Sequence, residues 1–422
     1  MSKTDTHGSI EQAYRLAVER YGELGVDPDA ALSELAKVAI SLHCWQGDDV
    51  RGFEGGELGG GLVATGAYPG RARNADELRA DLAKALSLLP GSHRVNLHAI
   101  YAEPNGKVER DALGPEHFAR WLDWSREHTP GLDMNPTFFS HRKADDGFTL
   151  ASADEGIRRF WVRHGQACRR IAAHFARSLG GSCVHNIWIP DGYKDTPADR
   201  KAPRERLRAS LDEVFSEPPE TPGVLDSLEG KLFGIGTESY VVGSHDFYLG
   251  YAAANGMLLC LDMGHYHPTE SVADKVSAVL AFVPGVLLHV SRGVRWDSDH
   301  VVTFDDATRA VAREVVRGGY LDRVHIGTDF FDASINRVAA WVIGVRSVLL
   351  ALLSALLEPT DELREMELAG DFTGRLAMQE QLKALPLDAV WDYYCMTRGT
   401  PVRLAWLDEV RSYQRDVLEK RG

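Results

Sequence analysis

Glu238, Asp262, His265, His289, Asp297, Asp299 and Asp332 fall at or just beyond the ends of the last four of eight apolar runs. Carboxylates and neutral imidazoles together form the donor set of a hard divalent cation. A lone strand-end aspartate is more often a helix N-cap, and a lone histidine with apolar neighbours is usually a hydrogen-bonded core residue. Their coincidence at four consecutive strand ends carries the inference of metal binding. The set is too large for one ion and predicts two neighbouring cations. Glu238, Asp262, His289 and Asp332 would close one site. His265, Asp297 and Asp299 would hold a second ion with positions left for water and substrate, Glu238 bridging the two. An open coordination position separates a catalytic ion from a structural one. Oxygen-rich ligation favours Mn²⁺, Mg²⁺ or Co²⁺, with Zn²⁺ able to compete.

Other residues near strand ends suit a polyol. His98, in Val-Asn-Leu-His-Ala, can hydrogen-bond a hydroxyl or ring oxygen, and Trp45 and Trp188 offer flat faces to the C–H surface of a sugar. Asp191, Lys194 and Asp195 read more simply as helix caps. A metal-dependent phosphodiesterase would want basic strand-end residues, and around the acidic blocks only Arg292 and Arg295 stand out, with Lys194 further off. A non-catalytic sugar-binding protein has no use for an open two-metal site.

The elements that must position these groups are eight near-continuous apolar runs, each followed by a helical pattern, as parallel strands covered on both faces require. The runs are Val38–Trp45, Arg94–Tyr101, Leu132–Phe138, Cys183–Ile189, Lys231–Glu238, Met257–Asp262, Val286–Val290 and Arg323–Asp329. Asn74-Ala-Asp-Glu77 opens a helix with a capping-box signature. Eight strand–helix units predict an α/β fold, a (β/α)₈ TIM barrel over residues 38–358. An N-terminal helical segment (1–37) precedes it and a C-terminal helical extension (359–422) follows. In such a barrel the loops after the strands build the site. Asp297 and Asp299 would then project together from an extended loop. A Gly-rich excursion, 46–70, follows the first strand.

A net charge of −14 over 422 residues argues against a broad nucleic-acid surface. Five scattered cysteines with no C-x-x-C pair read as buried, reduced thiols of a cytosolic protein. Val338–Leu357 carries one charge, Arg346, and its length suits a membrane span. Its serine and glycine residues and missing aromatic flanks favour a buried or subunit-facing helix. Residues 1–25 are polar and read as an amphipathic helix, not a secretory signal.

Long blocks of the chain closely resemble the enteric-type L-rhamnose isomerase family: Leu-His-Cys-Trp-Gln-Gly-Asp-Asp-Val (42–50), Asn-Leu-His-Ala-Ile-Tyr (96–101), Asn-Ile-Trp-Ile-Pro-Asp-Gly (186–192), Leu-Cys-Leu-Asp-Met-Gly-His-Tyr-His-Pro-Thr-Glu (259–270), Val-Arg-Trp-Asp-Ser-Asp-His-Val-Val (294–302) and Phe-Phe-Asp-Ala-Ser-Ile-Asn-Arg (330–337). The resemblance implies a cytoplasmic homotetramer converting L-rhamnose to L-rhamnulose with Mn²⁺, the first step of L-rhamnose catabolism. His265, Asp297 and Asp299 match that family's metal positions, and Glu238, Asp262, His289 and Asp332 match its structural-metal set. The expected chemistry is a 1,2-hydride shift with proton transfer through metal-bound water. Asp299 and Asp332 would orient that water, His98 would assist ring opening, and Trp45, His98, Trp188, Glu238 and His265 would contact the sugar. The alternative is a cis-enediol formed by a carboxylate base. Val50, Phe53, Leu62 and Val63 of the Gly-rich excursion would cover the C6 methyl. One departure is expected: more distant relatives carry a lysine two residues after the strand-five glutamate, where Tyr240 stands after Glu238.

Overall fold

The computed structural model describes residues 3–55, 64–218, 221–233 and 237–421. Helices α1 (Lys3–Gly22) and α2 (Pro28–Leu35) lead into strand β1 (Ile40–His43). The other barrel strands are β2 (Arg94–His98), β3 (Leu132–Asn135), β4 (Cys183–Ile187), β5 (Val224–Glu229), β6 (Leu258–Asp262), β7 (Val286–Val290) and β8 (Val324–Thr328). Neighbouring strands pair in parallel, and β8 returns to β1 to close the ring. This is the expected TIM barrel.

Seven of the eight predicted runs overlap an observed strand; the fifth does not. The fifth barrel strand is Val224–Glu229, of sequence Val-Leu-Asp-Ser-Leu-Glu, and the chain has left the barrel wall by Gly230. The predicted run Lys231–Glu238 lies in the following loop, and its residues 234–236 fall outside the described residues. Polar residues inside β5 obscure it because they have partners: Asp226 is held by Arg169 of helix α4 (Glu155–Leu179) at 2.8 Å and by His185 at 2.9 Å.

The predicted helix start at Asn74 is present. In α3 (Ala75–Leu86) the Asn74 side chain accepts from the Glu77 N–H at 2.9 Å, and Glu77 reaches back to the Arg73 N–H at 2.8 Å. Helix α5 (Arg337–Leu356) packs against the barrel wall, with mean hydropathy 2.0 over its most apolar window, 78% of which is buried inside the molecule. It is long and apolar enough to cross a membrane, yet it packs as a core helix. Its Arg346 lies over the Trp391 ring at 5.2 Å and donates to the Leu88 and Pro401 carbonyls, tying the barrel to the C-terminal helices. α1 meets that extension through Tyr14, whose ring stacks on Tyr393 with centroids 3.7 Å apart. All five cysteines are free and buried.

Candidate active site

Four strand ends converge on one buried cluster: Glu229 from β5, Asp262 from β6, His289 from β7 and Asp329 just past β8, with ligand atoms within 4.8 Å of one another. His289 Nδ1 lies 3.3 Å from Glu229 Oε2, 3.2 Å from Asp329 Oδ2 and 3.8 Å from Asp262 Oδ2. The strand register puts His289 level with both Asp262 and Gly327. A Cβ at position 327 would stand 3.2 Å from the His289 ring, so the absent side chain makes room for the imidazole.

Each carboxylate is held from outside by neutral donors. Asn186 Nδ2 donates to Glu229 Oε2 at 2.6 Å. Ser291 Oγ and the Gly264 N–H donate to Asp262 Oδ1 at 3.0 and 2.6 Å. The Trp45 indole N–H donates to Asp329 Oδ1 at 2.9 Å. His43 of β1 adds a clamp on either side of Asp329, bonding Thr328 Oγ1 at 2.7 Å and the Phe330 backbone. Such outer contacts orient ligands for a metal.

The cluster fits a divalent cation. Both ring nitrogens of His289 are buried, and although carboxylate oxygens stand 3.2 and 3.3 Å from Nδ1, neither nitrogen makes a well-aligned hydrogen bond among the described residues, a costly state unless a ligand satisfies one of them. Three carboxylates also crowd together in a low-dielectric site. Burial first, and then the like charges of Glu229 and Asp329, push the Asp262 carboxyl up to about 7. A cation would relieve both strains, and the oxygen-rich donor set matches Mn²⁺ and its neighbours.

The second group is present but is not drawn together as tightly: among the described residues, His265, Asp297 and Asp299 do not reach the mutual 4.8 Å spacing of the first cluster. His265 bridges the two groups, with Nδ1 3.2 Å from Glu229 Oε1 and Nε2 3.7 Å from Asp297 Oδ2. Lys231 takes the place beside Asp297, its Nζ 2.8 Å from Oδ2 and 5.2 Å above the Trp188 ring. Asp297 Oδ1 is buried and unpartnered among the described residues. A Cβ on Gly264 would lie 3.0 Å from that oxygen, so this approach depends on glycine. The loop is not simply extended: Arg292 and His300 pair antiparallel across it, and Asp299 adopts φ 45°, a left-handed conformation uncommon outside glycine, asparagine and aspartate.

Two predicted ligands lie elsewhere. Glu238 is exposed in the loop beyond β5, and Glu229 occupies the strand end that Glu238 was expected to hold. Asp332 is three residues past Asp329. Its carboxylate accepts the Ser334 N–H at 2.8 Å and the Ser334 hydroxyl, while Gln46 binds its backbone on both sides. The expected departure from more distant relatives does not hold: Lys231 stands two residues after Glu229, whereas Tyr240 stands in a two-residue ladder with Tyr193.

The cluster opens on a solvent-open cleft of about 530 Å³, lined by Trp45, His98, Trp188, Lys231, His265 and Asp299 among others. The expected sugar-contacting residues other than Glu238 are thus brought together. Burial holds the His98 imidazole down to about 4, so it is neutral near pH 7, with Nδ1 3.2 Å from Thr137 Oγ1. Val50 also lines the cavity, in a left-handed conformation (φ 62°) that is rare for a β-branched residue. Its neighbour Asp49, at φ 61°, is fixed by paired 2.8 Å bonds from Arg337. Phe53 instead packs edge-on to Tyr101, and Leu62 and Val63 lie outside the described residues. Asp191 is buried, accepting from Thr149 and Ala151. Lys194 and Asp195 are exposed.

The family model of L-rhamnose isomerase (RhaA) matches residues 8–421. The chain is 60% identical over 417 residues to the L-rhamnose isomerase of Rhodopirellula baltica, covering 98% of each chain. It is 58% identical over 415 residues to that of Yersinia pseudotuberculosis serotype O:1b, covering 98% of this chain and 99% of that one. Among solved structures it is similar to an L-ribulose 3-epimerase, 15% identical with a TM-score of 0.50 over 79% of this chain and 98% of that chain, a likeness of fold alone. The chain belongs to the L-rhamnose isomerase family of aldose–ketose isomerases.

Proposed function

We propose that the chain interconverts L-rhamnose and L-rhamnulose by a metal-assisted 1,2-hydride shift, as the first step of L-rhamnose catabolism in the cytoplasm. The observation that carries this reading is the buried Glu229–Asp262–His289–Asp329 cluster opening on a cavity walled by Lys231, His265 and Asp299. The first four residues would hold one cation, and His265, Asp297 and Asp299 a second, with Mn²⁺ favoured and Zn²⁺, Co²⁺ or Mg²⁺ able to substitute. Divalent cations held there would supply Lewis-acid charge to the reacting oxygens and lower the pKa of nearby water.

The residues supply the rest. His98, neutral and on the cavity wall, is placed to accept or relay a proton as the pyranose opens. Asp299 directs the proton that leaves O2 and arrives at O1, while hydrogen moves from C2 to C1 with its electron pair. The Lys231 ammonium, balanced by Asp297, adds positive charge beside the oxygens on which negative charge grows. Val50 supplies an apolar contact for the C6 methyl, and its strained backbone is held by the Asp49–Arg337 pair. Strain of this kind persists where surrounding structure enforces it, commonly at functional sites.

Substrate deuterated at C2 tests the hydride path. Full retention of label in L-rhamnulose supports it, and extensive wash-out into water would instead establish an enediol. We further propose a homotetramer, supported by Leu368, Phe372 and Leu376, which are 89%, 58% and 59% exposed along one stretch of the C-terminal extension. Isolated exposed side chains are ordinary, but a run of large apolar ones marks a contact surface.

A further inference from the structure

Beside the charged cluster, the part of the cavity wall built by β3, β4 and the residue after β4 carries amide and indole side chains that are incompletely bonded. Three polar atoms there are buried with no partner among the described residues: Asn135 Oδ1, Asn186 Oδ1 and Trp188 Nε1. All three residues line the same cavity. Asn135 is 4% exposed and Asn186 1% exposed. The orientation of Asn186 is set by chemistry, because its amide nitrogen donates to Glu229 at 2.6 Å, so its oxygen is the atom left over.

Unsatisfied buried acceptors are rare and call for a ligand. Two acceptors and one donor lining one cavity match a polyol, since every hydroxyl both donates and accepts. An apolar ligand would leave these atoms unpaired. We infer that Asn135 and Asn186 accept hydrogen bonds from hydroxyls of the sugar beyond the reacting O1 and O2, and that Asn135 is a determinant of hydroxyl specificity. This rests on the isomerase reading above. Asn186 serves two purposes, holding Glu229 and facing the cavity, so Asn135 is the cleaner probe.

The assignment gives the cavity a means of selecting hydroxyls that does not rest on charge. A site built to pair a substrate hydroxyl rejects an analogue lacking it, because its own polar group is then stranded. In the wild-type holoenzyme, analogues of L-rhamnose lacking the hydroxyl at C3, C4 or C5 in turn should include one whose kcat/KM falls by more than ~10-fold. In Asn135→Ala, L-rhamnose itself should lose about that factor, and the same analogue should lose little more, roughly 3-fold or less. Mn²⁺ affinity measured by titration calorimetry should be unchanged in the variant. An equal loss on every analogue in both proteins, or an unaltered kcat/KM for L-rhamnose in Asn135→Ala, overturns the assignment.

Should the variant fail to fold, a crystal structure of the wild-type holoenzyme with L-rhamnitol decides. A ligand hydroxyl within hydrogen-bond distance of Asn135 Oδ1 supports the inference, and an Asn135 oxygen facing only water or protein defeats it. Absence of turnover on L-rhamnose by the wild-type enzyme would count against the isomerase reading itself, which keeps the two failures apart.

Discussion

At the scale of single residues, the site turns on which of several acids the barrel brings to its rim. Asp329 and Asp332 are three positions apart, yet one faces His289 and the other folds back on Ser334. Asp329→Ala should weaken binding of the tighter Mn²⁺ by more than the ~10–100-fold typical for loss of an outer-shell partner. Asp332→Ala should keep that affinity and cost about 1 kcal/mol of stability through its lost turn contacts. Calorimetric titration of both variants checks the pair, and the reverse ranking would contradict the placement. Asp299→Asn should fold normally, because asparagine tolerates the left-handed backbone, and should lose most of its activity. Normal turnover by that variant would remove Asp299 from the proton path.

At the scale of elements, patterns were legible where a strand is apolar throughout and failed where its polar residues are paired. Met257–Asp262 and Val286–Val290 are legible almost to the residue, and Asp262 and His289 stand at or next to the ends of strands Leu258–Asp262 and Val286–Val290. β5 is less legible, since Asp226, Ser227 and Glu229 break its apolar run and the next stretch, Lys-Leu-Phe, is more strand-like. The strand-end glutamate therefore lies nine positions before the expected Glu238, at Glu229, and Lys231 follows it into the site. Only tertiary partners, Arg169 for Asp226 and His289 for Glu229, explain why β5 can be so polar. The signal available was the spacing Glu-Gly-Lys, which sets a carboxylate and an ammonium on one side of a strand end.

Paired acids also govern the foot of the barrel. Asp133 of β3 is buried, which alone would raise its pKa, but the charge and hydrogen bonds of Arg94 and the bonds from Ser41 and Val184 outweigh burial and hold it below the usual range. Asp226 is depressed in the same sense by His185 and Arg169. Because both folded values lie below the unfolded value of about 3.9, their stabilisation is complete above that pH and is lost as pH falls through the folded values. Denaturant midpoints should therefore hold steady from pH 7 to about 5 and decline steeply below about 4. Asp133→Asn should flatten part of that acid decline and cost about 3–5 kcal/mol at pH 7 by stranding Arg94. An unchanged acid limb in that variant would exclude the pair as its cause.

At the scale of the whole molecule, the residues able to hold a metal come from four consecutive strands, β5 to β8, while β1, the residue two past it and β4 hold those side chains through His43, Trp45 and Asn186. A bound metal would therefore couple most of the ring. A ligand that binds only the folded state stabilises it by about 2.7 kcal/mol at a hundredfold excess over Kd. With an unfolding entropy of ~2.1 cal/mol/K per residue over 422 residues, that corresponds to roughly 3 °C in Tm per ion. Chelation should lower Tm by at least this amount and Mn²⁺ should restore it; a Tm indifferent to chelator would mean the cluster holds no metal.

Turnover tests the central claim most directly. Purified protein stripped by chelator and then reloaded with Mn²⁺ should convert L-rhamnose to L-rhamnulose only in the reloaded state. Full ketose production by the stripped protein, or none by the reloaded one, would contradict a metal-dependent isomerase.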